Sequence, residues 1–386
     1  MQFSAEHESL RRTVAKFVET EINPHVDAWE AAEEFPSHEL FKKLGDLGLL
    51  GIKYDPAHGG LGLDFSYSMV MAEELGLCHA GGVPMAIGVH TDMCTPALNR
   101  FGSDHVKTNF LAPSIAGDVV GCLGVSEPGG GSDVAAVATT ARADGDDYVI
   151  SGTKMWITNG LKADWCCLLA NTSDGPPHRN KSLIAVPMDA RGITRQKIRK
   201  IGMHSSDTAQ LFFDEVRVPR VNLIGQEGMG FTYQMLQFQE ERLYSAASSL
   251  KGFDRLIDLT IEYTGQRRAF GKPILDNQVV HFRLAELRTE VEALRALTWS
   301  AIEQYVAGAD VTRLASMAKL KTGRLAREIT DSCLQYWGGM GYTADNPVSR
   351  AWRDTRLVSI GAGADEIMLG IIAKLEGTLP GTSNRA

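Results

Sequence analysis

The feature that most constrains this chain is a double change in hydrophobic period. Up to about residue 118 apolar residues recur at intervals of three and four, as at Leu10, Val14 and Phe17, the spacing of one helix face. Between roughly 120 and 220 this gives way to short runs rich in β-branched and aromatic residues, at 148–150, 165–169, 182–186 and 211–213, which read as strands. Asp144-Gly145, Asn159-Gly160 and Asp174-Gly175-Pro176-Pro177 punctuate them, predicting a compact antiparallel sheet or barrel. From about 230 the helical spacing returns. Leu236, Leu243, Leu250 and Ile257 lie seven apart, and Val280, Leu284, Leu287, Val291 and Leu294 alternate four and three, as expected of two packed helices of a bundle. An order of helices, strands and helices implies a cleft between lobes, where ligands commonly bind.

Composition narrows the function. A chain of 386 residues can bury a large core in two or three lobes. A net charge of -8 without a Lys/Arg cluster argues against general nucleic-acid binding. Six cysteines, at 78, 94, 122, 166, 167 and 333, form neither a CxxC pair nor a metal-ligand spacing, so no metal is expected and a reducing compartment is. Cys166 and Cys167 lie in an apolar run and read as buried structural thiols. Residues 1–22 read as a first folded helix rather than a leader. No stretch is apolar enough to span a bilayer, and Thr382 to Ala386 is not a Ser-Lys-Leu type signal. A soluble protein of the bacterial cytosol, or of an organelle matrix, is expected.

Three segments carry chemistry. In Gly124-Val125-Ser126-Glu127-Pro128-Gly129-Gly130-Gly131-Ser132-Asp133 the three glycines admit a ligand close to the backbone, with serine hydroxyls beside them. An ordinary tight turn reads the same way, and neither a Walker lysine nor a helix-opening GxGxxG is present. Lys154-Met155-Trp156-Ile157-Thr158-Asn159-Gly160 places an aromatic and a hydroxyl beside a turn, which suits a flat ring system or, equally, a Trp capping the sheet. Gln335-Tyr336-Trp337-Gly338-Gly339-Met340-Gly341-Tyr342, followed by Arg350, Arg353 and Asp354, sets glycines in a helical region, either for close approach or as a helix break.

In this order, with Arg267-Arg268-Ala269-Phe270-Gly271-Lys272 between the second and third, these segments resemble the acyl-CoA dehydrogenase family over essentially the whole chain. The resemblance implies an α+β protein of that family's fold: an N-terminal α-helical domain over 1–119, a middle antiparallel β domain over 120–225, and a C-terminal four-helix bundle over 226–386. It implies a homotetramer that binds FAD, oxidises an acyl-CoA substrate and passes electrons to electron-transferring flavoprotein. By the same resemblance Leu123, Val125, Ser126, Trp156, Ile157 and Thr158 would line the flavin. Arg267, Phe270 and Gln278, with Gln335, Gly338 and Gly339 from a neighbouring subunit, would hold the dinucleotide. Ser132 and Arg242 would contact the acyl-CoA, with Ser206-Asp207-Thr208 near the ligand path.

The family reaction removes an α-proton and a β-hydride from a thioester, so the site needs a base and a stabiliser of enolate charge. Many relatives carry the base in Tyr-Glu-Gly-Thr, where this chain has Gly361-Ala362-Gly363-Ala364. A second family position for the base, as in isovaleryl-CoA and long-chain enzymes, falls on Glu241 within Gln239-Glu240-Glu241-Arg242-Leu243. Glu240 lies about 100° round the same helix and is expected to point elsewhere; without the resemblance the pair reads as a solvated helix face. Ala362 keeps the backbone N–H that donates to the thioester oxygen, giving a split of roles between Ala362 and Glu241. Gly361, in place of Tyr, leaves room for a β-methyl branch, so isovaleryl-CoA or a longer 3-methyl chain such as citronellyl-CoA is the expected substrate, with a long unbranched chain as the alternative. Ala364 and Asp365 replace the family's Thr and Ser, Glu366 is expected to take over a cofactor contact, and Asp365 and Glu366 are fallback bases. A flavin monooxygenase or oxidase on the same fold, and an inactive assembly or binding protein, are the rival readings.

Overall fold

A computed structural model describes residues 1–380, so the terminal segment Thr382 to Ala386 lies outside the described residues. The first helix, Ala5–Phe17, starts at Ser4, whose hydroxyl accepts from His7 N–H while the His7 ring reaches back to the Ser4 N–H, satisfying two otherwise orphaned donors. Its stripe is placed as the spacing predicts: Val14 and Phe17 are buried and Leu10 packs at the margin. The Phe65–Leu75 helix is buried on almost every face because it lies between Ala5–Phe17 and the long C-terminal Gly230–Gln266 helix.

The middle of the chain forms β1 (Gly121–Gly124), β2 (Thr140–Asp144), β3 (Asp147–Ile157), β4 (Trp165–Asn171), β5 (Lys181–Pro187), β6 (Ile193–Lys197), β7 (Ala209–Pro219) and β8 (Leu223–Ile224). They make one sheet in the order β6-β7-β3-β2-β4-β5-β8, with β1 also paired to β4. The four sequence runs fall in β3, β4, β5 and β7. The sheet is antiparallel as expected at β2–β3, β3–β7, β6–β7, β4–β5 and β5–β8, but β1 runs parallel to β4, and β2 meets β4 in parallel at Thr140 and Asn171. The reason is that β1 and β4 are not joined by a hairpin. The 125–139 loop and the β2–β3 hairpin intervene, so the chain returns to β4 in the same sense.

Three long helices follow, Gly230–Gln266, Gln278–Val306 and Thr312–Trp337, and pack on one another. The shorter Asp365–Leu375 and Pro347–Thr355 helices lie against Thr312–Trp337. Val280, Leu284, Leu287, Val291 and Leu294 form the buried stripe of the second long helix. In the first, Leu243, Leu250 and Ile257 are buried but Leu236 is exposed, against expectation. The opening turns of that helix lie against β4, β5 and the Thr95–Phe101 helix, and there the buried face is Tyr233, Gln234 and Gln237 instead.

Candidate active site

Both glutamates of the pair are buried, so the solvated-face reading fails, and their surroundings differ completely. Glu240 accepts from Lys53 Nζ at 2.7 Å, from Tyr305 Oη at 2.6 Å, and from Arg100. Burial opposes its charge, but Lys53 and Arg100 hold the carboxyl below the usual range. Lys53 also pairs with Asp92 at 2.6 Å, completing a buried structural cluster between the N-terminal domain and the long helix. Glu241 has no such partner, and its Oε2 is buried without a hydrogen bond. Burial pushes its carboxyl up to about 7, with Arg242 and Lys319 pulling the other way. A carboxylate poised near neutrality with a free oxygen is the state a general base needs.

Arg242 is buried beside it. Its Nη1 donates to Ser316 Oγ at 3.3 Å, its guanidinium lies 5.8 Å from the Phe238 ring centre, and its Nε has no partner. Ser316 and Lys319 sit one turn apart on the Thr312–Trp337 helix, both fully buried. Lys319 Nζ donates to the Gly363 carbonyl, and burial pulls its ammonium down to about 8 against the opposing fields of Asp365 and Glu241. Lys319 therefore bridges the glutamate helix and the 361–364 loop.

In that loop Ala362 has φ 55° and Gly363 φ 91°, two successive left-handed residues, the first of which carries a Cβ. Ala362 N–H donates to no group among the described residues. A Cβ at Gly361 would make ordinary contact with Leu357, its closest atom at 3.6 Å, without a clash. Of the fallback carboxylates, Asp365 is buried and pairs through Oδ2 with Arg327 at 3.1 Å while its Oδ1 has no partner, and Glu366 is exposed on the first turn of its helix.

The sheet domain contributes a second surface. Trp156 is 59% exposed, with φ 65°, at a register shift between Lys154 and Ile157 where β3 bulges against β7. A bulge re-aims a side chain, and this one turns Trp156 outward rather than into the core. Ile157 behind it is buried in the sheet core, so of this residue only the backbone can face a ligand. Thr158 and Ser126 are half-buried, Leu123 and Val125 pack at the sheet margin, and Ser132 is exposed. The glycine loop is pinned from beneath. Lys154, fully buried, donates to Val125 O at 3.0 Å and to Glu127 at 2.8 Å. Glu127 also accepts from Thr139 Oγ1 and the Ala138 and Thr139 N–H groups. Nothing lies within 4 Å of a Cβ built at Gly129 or Gly130, so those glycines answer to no crowding within the chain. Ser206, Asp207 and Thr208 are all buried, Asp207 accepting from Lys162 N–H at 3.0 Å and the Ser206 and Thr208 hydroxyls lying 3.2 Å apart.

A third surface lies on the C-terminal helices. Residues 268–273 form a two-residue hairpin whose tip, Phe270 and Gly271, has φ 51° and 81°, the backbone of a type I′ turn. Phe270 stands fully exposed there, and Arg267 beside it donates to Tyr263 Oη at 2.8 Å. Gln278 and Gln335 line one groove of about 550 Å³ with Phe282, Arg283 and Tyr336. The Gln278–Val306 and Thr312–Trp337 helices pack side by side and bring both residues to one wall. Gly338, at φ 58°, ends the helix, and both Gly338 and Gly339 face open space.

Sequence reasoning missed Lys319 and the Lys154–Glu127 pair. A lysine at a core position of a helical stripe was the available signal for the former; for the latter it was a Lys directly before the Trp156 segment.

Comparison with known proteins places this geometry. The family models for the acyl-CoA dehydrogenase N-terminal, middle and C-terminal domains match residues 4–118, 122–216 and 228–376. The chain is 36% identical over 375 residues to the long-chain specific acyl-CoA dehydrogenase of Sus scrofa mitochondria, covering 96% of this chain and 86% of that one. It is likewise 36% identical over 369 residues to the short-chain specific mitochondrial enzyme of Bos taurus, covering 95% and 89%. An acyl-CoA dehydrogenase structure from Geobacillus kaustophilus superimposes with a TM-score of 0.92 at 37% identity, over 97% of this chain and 98% of that one. The chain belongs to the acyl-CoA dehydrogenase family. It is thus an oxidoreductase acting on acyl-CoA, of a family that depends on FAD.

Proposed function

We propose that the protein oxidises an acyl-CoA to its trans-2-enoyl-CoA, with Glu241 as the base and the Ala362 N–H as the donor to the thioester oxygen. The observation that carries this reading is the buried, unpartnered Glu241 Oε2. Glu241 takes the α-proton onto that oxygen. Charge that develops on the thioester oxygen meets the unengaged Ala362 N–H, a preformed donor that needs no reorganisation. Burial of Glu241 and Arg242 keeps water from the reacting carbons, and the free Arg242 Nε is available to the substrate.

FAD, when bound, supplies the hydride acceptor. The residues present fit it: the outward Trp156 ring and the unobstructed Gly129–Gly130 backbone suit a flat ring, with Leu123, Val125, Ser126, Ile157 backbone and Thr158 around it. Arg267, Phe270, Gln278, Gln335, Gly338, Gly339 and Glu366 suit the dinucleotide end. The exposed Phe270 tip supports an assembly in which neighbouring subunits complete each other's sites, and a homotetramer of units 1–119, 120–225 and 226–386 is the form proposed. Electron-transferring flavoprotein is the proposed acceptor and the cytosol the proposed compartment; no helix among the described residues is long and apolar enough to cross a membrane.

The missing side chain at Gly361, where a Cβ would touch Leu357 at 3.6 Å without a clash, favours a β-branched substrate such as isovaleryl-CoA or a longer 3-methyl chain. Equal identity to a long-chain and a short-chain enzyme leaves length to experiment. The test is an anaerobic acyl-CoA panel on the wild type and Glu241→Gln. Flavin bleaching by acyl-CoA in the wild type alone supports the reading; bleaching of the variant at the wild-type rate removes Glu241 from the role.

A further inference from the structure

Among the described residues Lys154, Lys181 and Lys319 are fully buried, and the Lys53 side chain is nearly so. Lys53 meets Asp92 and Glu240 at 2.6 and 2.7 Å, and Lys154 meets Glu127 at 2.8 Å. A buried ammonium costs several kcal/mol unless such a partner compensates it. Two buried lysines lack such a partner: Lys181 donates to Pro177 O at 2.8 Å and Asn180 Oδ1 at 2.9 Å within its own segment, whereas the other, Lys319, reaches a distant loop. Lys319 is fully buried, yet among the described residues it has no carboxylate within ion-pair distance, and its hydrogen-bond partner is a backbone carbonyl, that of Gly363. Asp365, whose charge acts on Lys319, pairs with Arg327.

What Lys319 holds is a turn that needs holding. Left-handed backbone costs an L-residue roughly 1–2 kcal/mol, and such conformations persist only where the surroundings over-determine them. Ala362 is in that region, and Gly363 follows it there, with Met368 packed so closely that a Cβ at Gly363 would come within 2.5 Å of it. The turn is thus clamped on one side by Met368 and on the other by Lys319. The face of Thr312–Trp337 that carries Lys319 also carries Ser316, bonded to Arg242, and Gly323, whose missing Cβ admits Ser359 and Asp365. One helix face therefore registers the base and the loop against each other.

We propose that Lys319 is a positioning residue of the reaction: by holding the Gly363 carbonyl it keeps the Ala362 N–H aimed at the thioester oxygen beside Glu241. This rests on the reading of Ala362 as the oxygen's donor. Glu241, Arg242, Asp365 and Glu366 are the charged groups that act on Lys319, so removing its charge also changes the field at Glu241.

The experiment uses the FAD-loaded enzyme with Lys319→Met and Lys319→Gln. The Gln side chain is polar but one atom shorter and uncharged, so it retains the fold while weakening the tether. Two quantities are read. The first is kcat against KM. The second is the pH at which a bound thioester with sulfur in place of its β-carbon loses its α-proton, followed in the visible spectrum; such a ligand can ionise but has no hydride to give. Loss of an aligned donor lowers kcat by about 10²-fold in Lys319→Met and about tenfold in Lys319→Gln, with KM little changed, and raises the ionisation pH of the bound analogue in both. If either folded variant keeps the wild-type kcat and ionisation pH, Lys319 is only structural and the proposal is overturned. In the analogue readout the α-proton passes to Glu241, so Glu241→Gln is run alongside to separate loss of the base from loss of the aligned donor. A Glu241→Gln enzyme with wild-type activity would refute the base assignment while leaving the Lys319 measurement intact.

Discussion

Glu240 and Glu241 are adjacent in sequence and opposite in circumstance: the first is held by Lys53, Arg100 and Tyr305, and the second keeps a buried oxygen with no partner at all. One helical step of about 100° separates a carboxylate held by cations from the proposed base.

That contrast predicts a separation of phenotypes. Glu240→Gln leaves Lys53 and Arg100 undercompensated in the interior and is expected to lower stability by about 3–5 kcal/mol, the usual consequence of breaking a buried pair. Flavin reduction per folded molecule is expected to persist. Glu241→Gln is expected to do the reverse, lowering the flavin reduction rate by about 10²–10⁴-fold. Thermal melts alongside stopped-flow reduction check both; a stable Glu240→Gln would show that the cluster is not what holds the two domains together.

The pH profile follows from the position of Glu241. Because burial raises its carboxyl to about 7, kcat/KM should climb as pH rises through that value, when the base becomes available. Stability should move the other way. The native state keeps the proton to higher pH than the unfolded chain does, so this group's contribution is complete below its unfolded value of 4.5 and is lost as pH rises toward 7. The loss amounts to roughly 3 kcal/mol, and Glu241→Gln should flatten it in denaturant titrations between pH 4.5 and about 7.

Trp156 offers a test of the sheet-domain surface. Since its ring is mostly solvent-exposed and its φ is positive, Trp156→Ala should cost the apoprotein little stability. FAD retention should weaken by about tenfold, or about 1.4 kcal/mol, measured by fluorescence titration of apoprotein. Unchanged FAD affinity would place the flavin elsewhere.

Gly361→Tyr addresses substrate choice. Filling the space beside Leu357 should reduce kcat/KM for isovaleryl-CoA by about 10–200-fold relative to a straight-chain acyl-CoA of equal length, the range that one pocket contact commands. A uniform loss across both substrates would mean that the space is not where the branch lies.

Much of this was legible in the sequence because it depends on local periodicity. The two changes of period place the helical lobes and the sheet, and the helical angle alone separates Glu240 from Glu241. What the sequence left hidden depends on partners far away along the chain. Nothing in the Glu-Glu pair announces Lys53 or Arg100, so a solvated face was a fair reading until the tertiary structure supplied the cations. Leu236 follows the heptad but emerges at the surface, because the opening turns of its helix answer to the sheet rather than to the bundle. Lys319 falls among core positions where a lysine has no local explanation, and the meeting of Gln278 with Gln335 depends on how two long helices lie together.

The left-handed turn at Ala362 and Gly363 has an implication for design. Its shape is imposed from outside, by Lys319 and Met368, and the duty assigned to it belongs to the main chain. The methyl of Ala362 therefore has no task of its own, which makes 362 a vacant address in an otherwise fully specified loop. A carboxylate installed there would give one protein two alternative proton acceptors, and silencing each in turn would measure how the choice of location alone governs which acyl groups are accepted.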